Sequence, residues 1–417
     1  MNKKLLLTTA IFCAFGASSA LAAGYSTNLY STSGLGNAYA GSAVGVHDAS
    51  DIFFNPSTAT NNKNTQFVGS VSYLSLNIKP KSTSNTSNNN GNATRDAGND
   101  AVVPAFYLTS PINDKASFAL SVNSPFGLNT EYDKNWSGRY SGIESSITSL
   151  NINPSVSYKI TDDLSVGAGV QAQYMSLLMT GAVYTGGTDA YVKTKVNDWG
   201  YGYNLGLSFK ASDSLKLGLG YRSKIDYKLT GKTYSTGLSG FGVDDGGYSA
   251  TASSATPESI TGGLAFKAND SLELLGDVTW TRWSRLKYLT INNAGVSLAS
   301  LATATTSFNW KDSWLYSVGA NYKTSDTLTV RSGLAFERDS VTAADRGSRI
   351  PTGDRYWATV GLSYKLNDST AIDATYAHIF FKTVNSSNIT VDTNGTSYSS
   401  KYKTSVDVLS LAVRKDF

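Results

Sequence analysis

The stretch Leu164–Tyr174, LSVGAGVQAQY, decides the fold, because apolar residues alternate strictly with small or polar ones along it. The apolar face comprises Leu164, Val166, Ala168, Val170, Ala172 and Tyr174. The same alternation recurs over residues 215–221 and 360–366. A period of two predicts β-strands with one apolar and one polar face. Strands of soluble sandwiches are typically about 5–6 residues long, so alternation over about ten residues favours the wall of a membrane barrel.

Short and long connections alternate along the chain. The short ones carry Asp in a turn context, which suits a residue that hydrogen-bonds its own backbone, and lie at residues 112–114, 161–163, 211–213, 268–270, 324–326 and 366–368. The long, polar ones lie near residues 80–100, 130–145, 185–191, 231–256, 291–305, 340–354 and 385–400. This alternation separates the periplasmic and extracellular rims of bacterial barrels. It predicts an all-β chain, a transmembrane antiparallel barrel of about 14 strands with both termini periplasmic.

The N-terminus has the pattern of an export signal. Lys3 and Lys4 precede an apolar run over residues 5–14, and Ala20-Leu21-Ala22 offers a cleavage site. The run is too short to span a membrane, so we expect residues 1–22 to be a signal peptide of an exported, Gram-negative outer-membrane protein. The single cysteine, Cys13, lies in that segment, which excludes disulfides and cysteine metal sites from the mature chain.

The rest of the composition fits this assignment. The chain has 25 Tyr, 16 Phe, 7 Trp and 38 Gly, which suits a membrane barrel. Without Lys3 and Lys4 the net charge is about +2, which argues against a nucleic-acid partner. We also expect an interfacial girdle from the tryptophans near the long loops, namely Trp280, Trp283, Trp310, Trp314 and Trp357. The alternative for these residues is ordinary packing.

The front of the mature chain is unlike the strands that follow. Residues 33–57 are rich in Gly and Ala and fit neither a helix nor a strand. A barrel of 14 strands is wide enough to leak, so a segment inside its lumen would serve as a plug. We therefore divide the chain into a signal peptide (1–22), a hatch (23–65) and a transmembrane barrel (66–417). The alternative for residues 23–65 is a disordered periplasmic tail.

Several blocks, in order, resemble the FadL family of outer-membrane transporters for long-chain fatty acids and other hydrophobic molecules. They include AGYSTNLYSTSGLGNAYAG (23–41), DASDIFFNPS (48–57), WKDSWLYSVGANY (310–322) and RIPTGDRYWATVGLSYKL (349–366). The first two are similar to the family's hatch and its Asn-Pro-Ala motif, with Ser57 in third place. The resemblance assigns Gly34, Gly36, Asn55 and Pro56 to the hatch, where Asn55-Pro56 would form a turn that anchors it to the barrel.

The resemblance also implies a passive, monomeric channel without a cofactor or metal. Its partners would be a long-chain fatty acid or another hydrophobic small molecule, together with outer-membrane lipid and lipopolysaccharide. The substrate would land on the extracellular loops, enter a pocket, pass the hatch and leave sideways through the wall at an inward kink of the third strand.

Prolines supply a physical basis for such a kink. Pro104, Pro125 and Pro154 fall in three successive predicted strands, and proline cannot donate to a β-ladder. We assign the kink to Ser124, Pro125, Phe126 and Gly127. The alternative is that these prolines mark strand ends or bulges.

Landing and pocket residues follow from their place beside this kink and near the loop ends. The apolar candidates are Phe126, Leu128, Tyr132 and Trp136, and the cations that could meet a carboxylate are Arg139, Lys311, Arg349 and Arg355. Each cation could instead be a solvated rim charge or a lipopolysaccharide contact, which leaves an aromatic hydrocarbon open as the substrate.

Two other classes of function remain. The only histidines are His47, which could respond to pH, and His378. No motif joins His378 to a serine nucleophile, so we expect no enzyme. A surface adhesin whose lumen stays shut is the alternative of another class.

Overall fold

A computed structural model describes residues 24–85, 96–186, 188–390 and 397–417. The predicted signal peptide lies outside these ranges. The strands are β1 (Gln66–Asn85), β2 (Ala101–Pro111), β3 (Ala116–Asn123 and Gly127–Glu131), β4 (Glu144–Lys159), β5 (Leu164–Tyr184), β6 (Asp189–Lys210), β7 (Leu215–Arg222 and Ile225–Thr236), β8 (Gly246–Thr256 and Ser259–Lys267), β9 (Leu272–Thr281 and Tyr288–Asn293), β10 (Thr303–Ser307 and Ser313–Lys323), β11 (Leu328–Glu337), β12 (Arg355–Asn367), β13 (Thr370–Phe381 and Val384–Thr390) and β14 (Ser397–Asp416).

The strands form one closed antiparallel barrel of 14 strands, which confirms the predicted fold. Each strand pairs with its neighbours in sequence, and β1 closes the barrel by pairing with β14, from Gln66 opposite Asp416 to Lys81 opposite Lys401. The wall is apolar outside: the side chains of Val170, Val360 and Leu411 are 63%, 57% and 47% exposed. Buried polar side chains, among them Asn151 and Gln171, face inward. This inside-out pattern suits a wall surrounded by lipid.

All six predicted short turns join consecutive strands. The Asn113 side chain accepts hydrogen bonds from the backbone N–H of Lys115 and Ala116, and Asn269 does the same for Ser271 and Leu272. The long connection predicted at 231–256 is wrong in extent, because β7 continues to Thr236 and β8 begins at Gly246. Buried and exposed residues alternate there, so the polar residues belong to strands that extend beyond the membrane.

Residues 24–61, called the lumenal segment below, lie inside the barrel. They form helix α1 (Thr32–Leu35) and two 3-10 helices (Ala49–Phe53 and Pro56–Asn61), capped by side chains of Ser31, Asp48 and Asn55. Other short helices lie in or near the long connections: 3-10 helices at Ser239–Phe241 and Trp283–Arg285, and α2 (Ala299–Ala302). None of the helices among the described residues is long and apolar enough to cross a membrane.

The lumenal segment is hydrogen-bonded to every strand of the wall. Its wall partners, in strand order, are Gln66, Tyr107, Gly127, Ser157, Ser165, Leu207, Arg222, Ala255, Asp277, Ala320, Ser332, Thr359, Thr375 and Ser410. The hydrophobic core is therefore in the lumen, between this segment and the inner face of the wall, rather than between two layers of sheet.

The predicted tryptophan girdle is wrong for three of its members. Trp283, Trp310 and Trp357 are only 1%, 4% and 3% exposed. Trp357 lies on the inward face of β12, and the other two lie where β9 and β10 are interrupted. Distance from a loop does not specify which face of a strand carries the indole.

Candidate functional site

The third strand is broken at the predicted position. Ser124, Pro125 and Phe126 interrupt β3, and the start of the lumenal segment lies beside the gap. The backbone N–H of Thr27 donates to the carbonyl of Pro125 (3.0 Å), and the N–H of Gly127 donates to the carbonyl of Tyr25 (2.8 Å). The break exchanges strand-to-strand hydrogen bonds for bonds to the lumenal segment, which satisfies the exposed backbone groups.

The two neighbours of the break differ. On one side, the Ser149 hydroxyl of β4 bonds both backbone groups of Phe126, accepting from its N–H (2.9 Å) and donating to its carbonyl (2.6 Å). On the other, the ladder between β2 and β3 ends at Phe106 opposite Val122. Among the described residues, an isolated bridge between Gly98 and Thr130 follows, beside a hydrogen bond from the Glu131 N–H to the Ala97 carbonyl (3.0 Å). Residues 101–105 of β2 therefore pair with β1 but not with β3, which leaves the ladder of the wall open beside the break.

An aromatic cluster lines the lumen at the break. The Tyr25 ring contacts Trp283 (centroids 4.9 Å apart) and Phe126 (5.7 Å), and Trp283 contacts Trp310 (5.3 Å). These edge-on arrangements are the favourable ones for aromatic pairs. They give the lumen an apolar wall next to the opening in the ladder.

A cavity of about 80 Å³ lies between this cluster and the lumenal segment. Its lining combines aromatic side chains, including Tyr30, Phe54 and Phe126, with polar ones, including Gln173 and Arg222. Mostly apolar walls with a few placed polar groups are typical of small-molecule sites.

Arg222 is the cation of this cavity. It is 9% exposed, and its guanidinium lies 4.1 Å from the Phe53 ring centroid. It donates to the Phe53 carbonyl (2.9 Å) and to the amide oxygens of Asn151, Asn153 and Gln171. Within the described part of the chain it has no carboxylate in an ion pair. Buried cations are usually paired, so this one is suited to an incoming anion.

Asn55 joins the lumenal segment to the wall. Its side-chain oxygen accepts from the N–H of Ser57 (3.0 Å) and so caps the second 3-10 helix, which begins at Pro56. Its amide nitrogen donates to the carbonyls of Ala43 (2.6 Å) and Leu207 (2.9 Å). One side chain thus holds two parts of the lumenal segment against β6.

Glycines in the wall allow the lumenal segment to approach closely. A Cβ at Gly218 would lie 1.9 Å from the Ala43 carbonyl oxygen, and one at Gly220 would lie 1.9 Å from that of Phe54. Any larger residue would collide with backbone. Of the predicted glycines, Gly34 is within α1 and Gly36 receives a bond from the Thr359 hydroxyl (3.0 Å).

His47 and Asp51 form a buried pair in the lumenal segment. The imidazole Nδ1 lies 3.0 Å from an Asp51 carboxylate oxygen, and Nε2 lies 3.0 Å from the Asn37 amide oxygen. Both ring nitrogens face acceptors, so the protonated ring fits best. Burial by itself lowers the pKa of His47, but the Asp51 carboxylate outweighs that effect and the pKa is raised.

Comparison with known proteins identifies the family to which this barrel belongs. A family model described as "Outer membrane protein transport protein (OMPP1/FadL/TodX)" matches residues 13–417.

The chain belongs to the OMPP1/FadL/TodX family. Members of the family are channels that carry hydrophobic small molecules across the outer membrane, and they are not enzymes. The protein is therefore an outer-membrane transporter of hydrophobic compounds, as the sequence predicts.

Relatives match over nearly their whole length. Outer membrane protein P1 of Haemophilus influenzae is 28% identical over 430 residues, which cover 92% of this chain and 91% of the relative. The long-chain fatty acid transport protein of Escherichia coli K12 is 27% identical over 423 residues, 91% of this chain and 93% of the relative.

Solved structures agree with the fold. A Pseudomonas aeruginosa FadL homologue superposes with a TM-score of 0.87 at 27% identity, covering 95% of this chain and 100% of that one. The Ralstonia pickettii toluene transporter TbuX gives 0.68 at 20% identity, covering 93% and 98%. This second likeness concerns the fold alone.

In this FadL-family barrel, the predicted apolar pocket residues lie in the interior. Leu128, Tyr132 and Trp136 are 2%, 4% and 1% exposed. The rings of Tyr132 and Trp136 are stacked with centroids 4.0 Å apart, and the Trp136 indole donates to the Gly142 carbonyl (2.9 Å). They form a buried aromatic pair on the extracellular side of the break.

The four predicted cations are scattered. Arg139 is paired with Asp189, and Arg355 is paired with Glu337 (2.9 Å). Lys311 is exposed. Arg349 donates only to neutral oxygens, of Glu144, Ser145 and Thr180. Burial lowers the pKa of Arg349 to about 10, so its charge persists at neutral pH.

The sequence analysis did not select Arg222. A signal for it exists: Leu215, Leu217, Leu219 and Tyr221 form the apolar face, so Arg222 falls on the inward one. A charged residue there, beyond two glycines, predicts a lumenal cation. Among the described residues, no group of three His, Cys, Asp or Glu side chains is placed to hold a metal ion.

Proposed function

We propose that this FadL-family member takes up long-chain fatty acids by passive diffusion and releases them sideways through the wall at the break in β3. The lumenal segment serves as the hatch, with Asn55-Pro56 as its anchor. The unit of transport is one chain, because a single chain closes the barrel.

The observation that carries this proposal is the break itself. An unpaired stretch of β2, a proline–glycine interruption in β3 and an aromatic lumen meet at one place. An oily solute gains about 0.8 kcal/mol for each methylene that leaves water. Exit into the membrane retains that gain, whereas exit into the periplasm would lose it.

Arg222 favours a fatty acid over an uncharged hydrocarbon. A carboxylate in the cavity would replace neutral amide acceptors by an opposite charge, and the attraction between opposite charges is stronger in the protein interior than in water. The E. coli relative is named for long-chain fatty acid transport. TbuX, named as a toluene transporter, supports the second candidate, uptake of aromatic hydrocarbons.

The cavity as it stands is too small for the substrate. The cavity offers only about 80 Å³ to the centres of water-sized spheres, which leaves little room for a long-chain acid. Passage therefore requires the hatch to shift, and its contacts with β3 through Tyr25 and Thr27 are the ones that border the exit.

The test is uptake of labelled oleate, and separately of toluene, by cells that express a variant with a regular third strand, Pro125→Val with Gly127→Val. We expect oleate uptake to fall towards that of cells lacking the protein. Pro154→Val, in the neighbouring strand β4, is the matched control and should keep uptake. Heat-modifiable migration would verify that each variant is folded.

Two results would contradict the proposal. Undiminished uptake by the folded double variant would exclude sideways exit at this break. If neither compound enters faster than in cells lacking the protein, both substrate classes are wrong, and an adhesin with a closed lumen becomes the better explanation.

A further inference from the structure

Two pairs of lysines lie directly opposite each other where β1 and β14 approach the extracellular rim. Lys79 faces Lys403 and Lys81 faces Lys401 in the ladder. All four are exposed and share the outward face with Tyr73 and Leu409. They form one compact group of four positive charges, called the lysine cluster below.

Like charges directly opposite each other in a sheet are destabilising. Within the described ranges none of the four lysines is in an ion pair. Three acidic side chains near this face have other partners. Asp407 bonds Tyr376 and His378, and Asp100 bonds Tyr73 and Ser75. Asp96 accepts from the backbone N–H groups of Ile78 and Gly98. Among the described residues, no ion pair relieves the repulsion within the cluster.

Another lysine pair shows the contrast. At the periplasmic end Lys210 also faces a lysine, Lys216. There, however, the Lys210 ammonium lies 2.6 Å from the Asp213 carboxylate. In the part of the chain that the structure describes, one lysine of the periplasmic pair is in an ion pair, whereas no lysine of the two extracellular pairs is.

The position of the lysine cluster along the membrane normal indicates which anions can reach it. Phe380 is 52% exposed and faces the membrane opposite Ser405, which in turn faces Asn77. Lys79 and Lys403 lie on the same face, two residues nearer the extracellular rim than Asn77 and Ser405. Two residues advance about 6.6 Å along a strand, or about 5 Å along the membrane normal for a strand tilted by about 40°. The lysines thus lie about 5 Å beyond Phe380, towards the extracellular rim.

We propose that the lysine cluster binds the phosphate and carboxylate groups of the sugar core of lipopolysaccharide. This lipid fills the outer leaflet in which the protein resides, and its anionic groups lie at that height. Ammonium–phosphate bonds are charge-assisted, and each bound anion relieves the repulsion between opposed lysines. The site is independent of the substrate that passes through the lumen.

The experiment titrates purified, folded protein in lipid-free detergent with Kdo2–lipid A and measures binding by native mass spectrometry. The variant Lys79→Gln, Lys81→Gln, Lys401→Gln, Lys403→Gln should bind about tenfold more weakly or worse. The matched control loses four periplasmic lysines (Lys210, Lys216, Lys267 and Lys323, each to Gln) and should bind as the wild type does. Equal affinity of all three proteins would overturn the proposal.

The unfolding temperature distinguishes binding of lipopolysaccharide from binding of a simple inorganic anion. Kdo2–lipid A should raise the unfolding temperature of the wild type but not that of the lysine-cluster variant. Inorganic phosphate at matched concentration should leave both unchanged. If phosphate alone protects the wild type equally, the cluster is a simple anion site and the assignment to lipopolysaccharide is wrong. Should the fourfold variant fail to fold, the pair Lys81→Gln, Lys401→Gln provides the same comparison.

Discussion

At the scale of the residue, charge inside the lumen separates a fatty acid channel from a hydrocarbon channel. Arg222 is buried against Phe53 and donates only to neutral oxygens. By contrast, Arg355 is buried and paired with Glu337, which neutralises its charge. A carboxylic acid gains from the first arrangement and toluene does not.

Replacement of Arg222 by Gln should therefore reduce uptake of oleate and leave uptake of toluene unchanged. Loss of one hydrogen bond to a charged group is worth about 1.5–3 kcal/mol, which corresponds to about tenfold or more in affinity. Arg222→Lys, which keeps the charge, is the control and should restore part of the oleate uptake. A parallel loss of both substrates in the Gln variant would show that Arg222 only supports the hatch.

Sequence patterns identify such residues unevenly. The kink at Ser124–Gly127 was predictable because proline and glycine are local signals. The pairing of Arg139 with Asp189 was not, because the partners lie 50 residues apart, one in a loop and the other at the start of β6. A cation near a loop end looks the same in sequence whether it is paired or free.

At the scale of the element, the hatch packs closely against the wall because glycines, which have no side chain, lie at the contact points. The inward glycines of β7 contact the backbone of the lumenal segment at Ala43 and Phe54. Alternation predicted these strands, but it could not tell which glycines would receive the hatch, since that depends on how the segment folds inside the barrel.

Gly220→Ala should loosen the hatch by about 1–3 kcal/mol, the usual range for overpacking a core. Hydrogen exchange of residues 49–61 measures this directly, and the amides there should exchange faster. Gly262→Ala is the control, because its Cβ would meet only the Leu219 side chain at 3.8 Å. Equal exchange in the two variants would mean that the segment is not held by contact with β7.

At the scale of the whole molecule, retention of the hatch in the barrel should depend on pH through His47. Its pKa in the folded hatch is raised above the ordinary value of about 6.5. The stability from the His47–Asp51 pair is therefore complete below about pH 6.5 and is lost as the pH rises through the raised pKa.

Limited proteolysis from pH 5 to 9, corrected for protease activity, tests this. Cleavage within residues 24–61 should increase with pH in the wild type and should depend less on pH in His47→Gln. His378→Gln, which changes the only other histidine, should behave as the wild type does. A pH dependence that persists in His47→Gln would assign it to another group.

The hydrogen bonds from the lumenal segment to all strands also constrain the order of assembly. Thr32 bonds Ser410, 378 residues later in the chain, while Asn55 bonds β6 in the middle of the barrel. A closed barrel could admit this segment only with difficulty, because the segment is hydrogen-bonded to every strand of the wall. The sheet must therefore curl around the segment while its first and last edges are still apart, and the final zipping of β1 to β14 locks it inside. We therefore expect closure of the barrel and enclosure of the lumenal segment to occur in the same step.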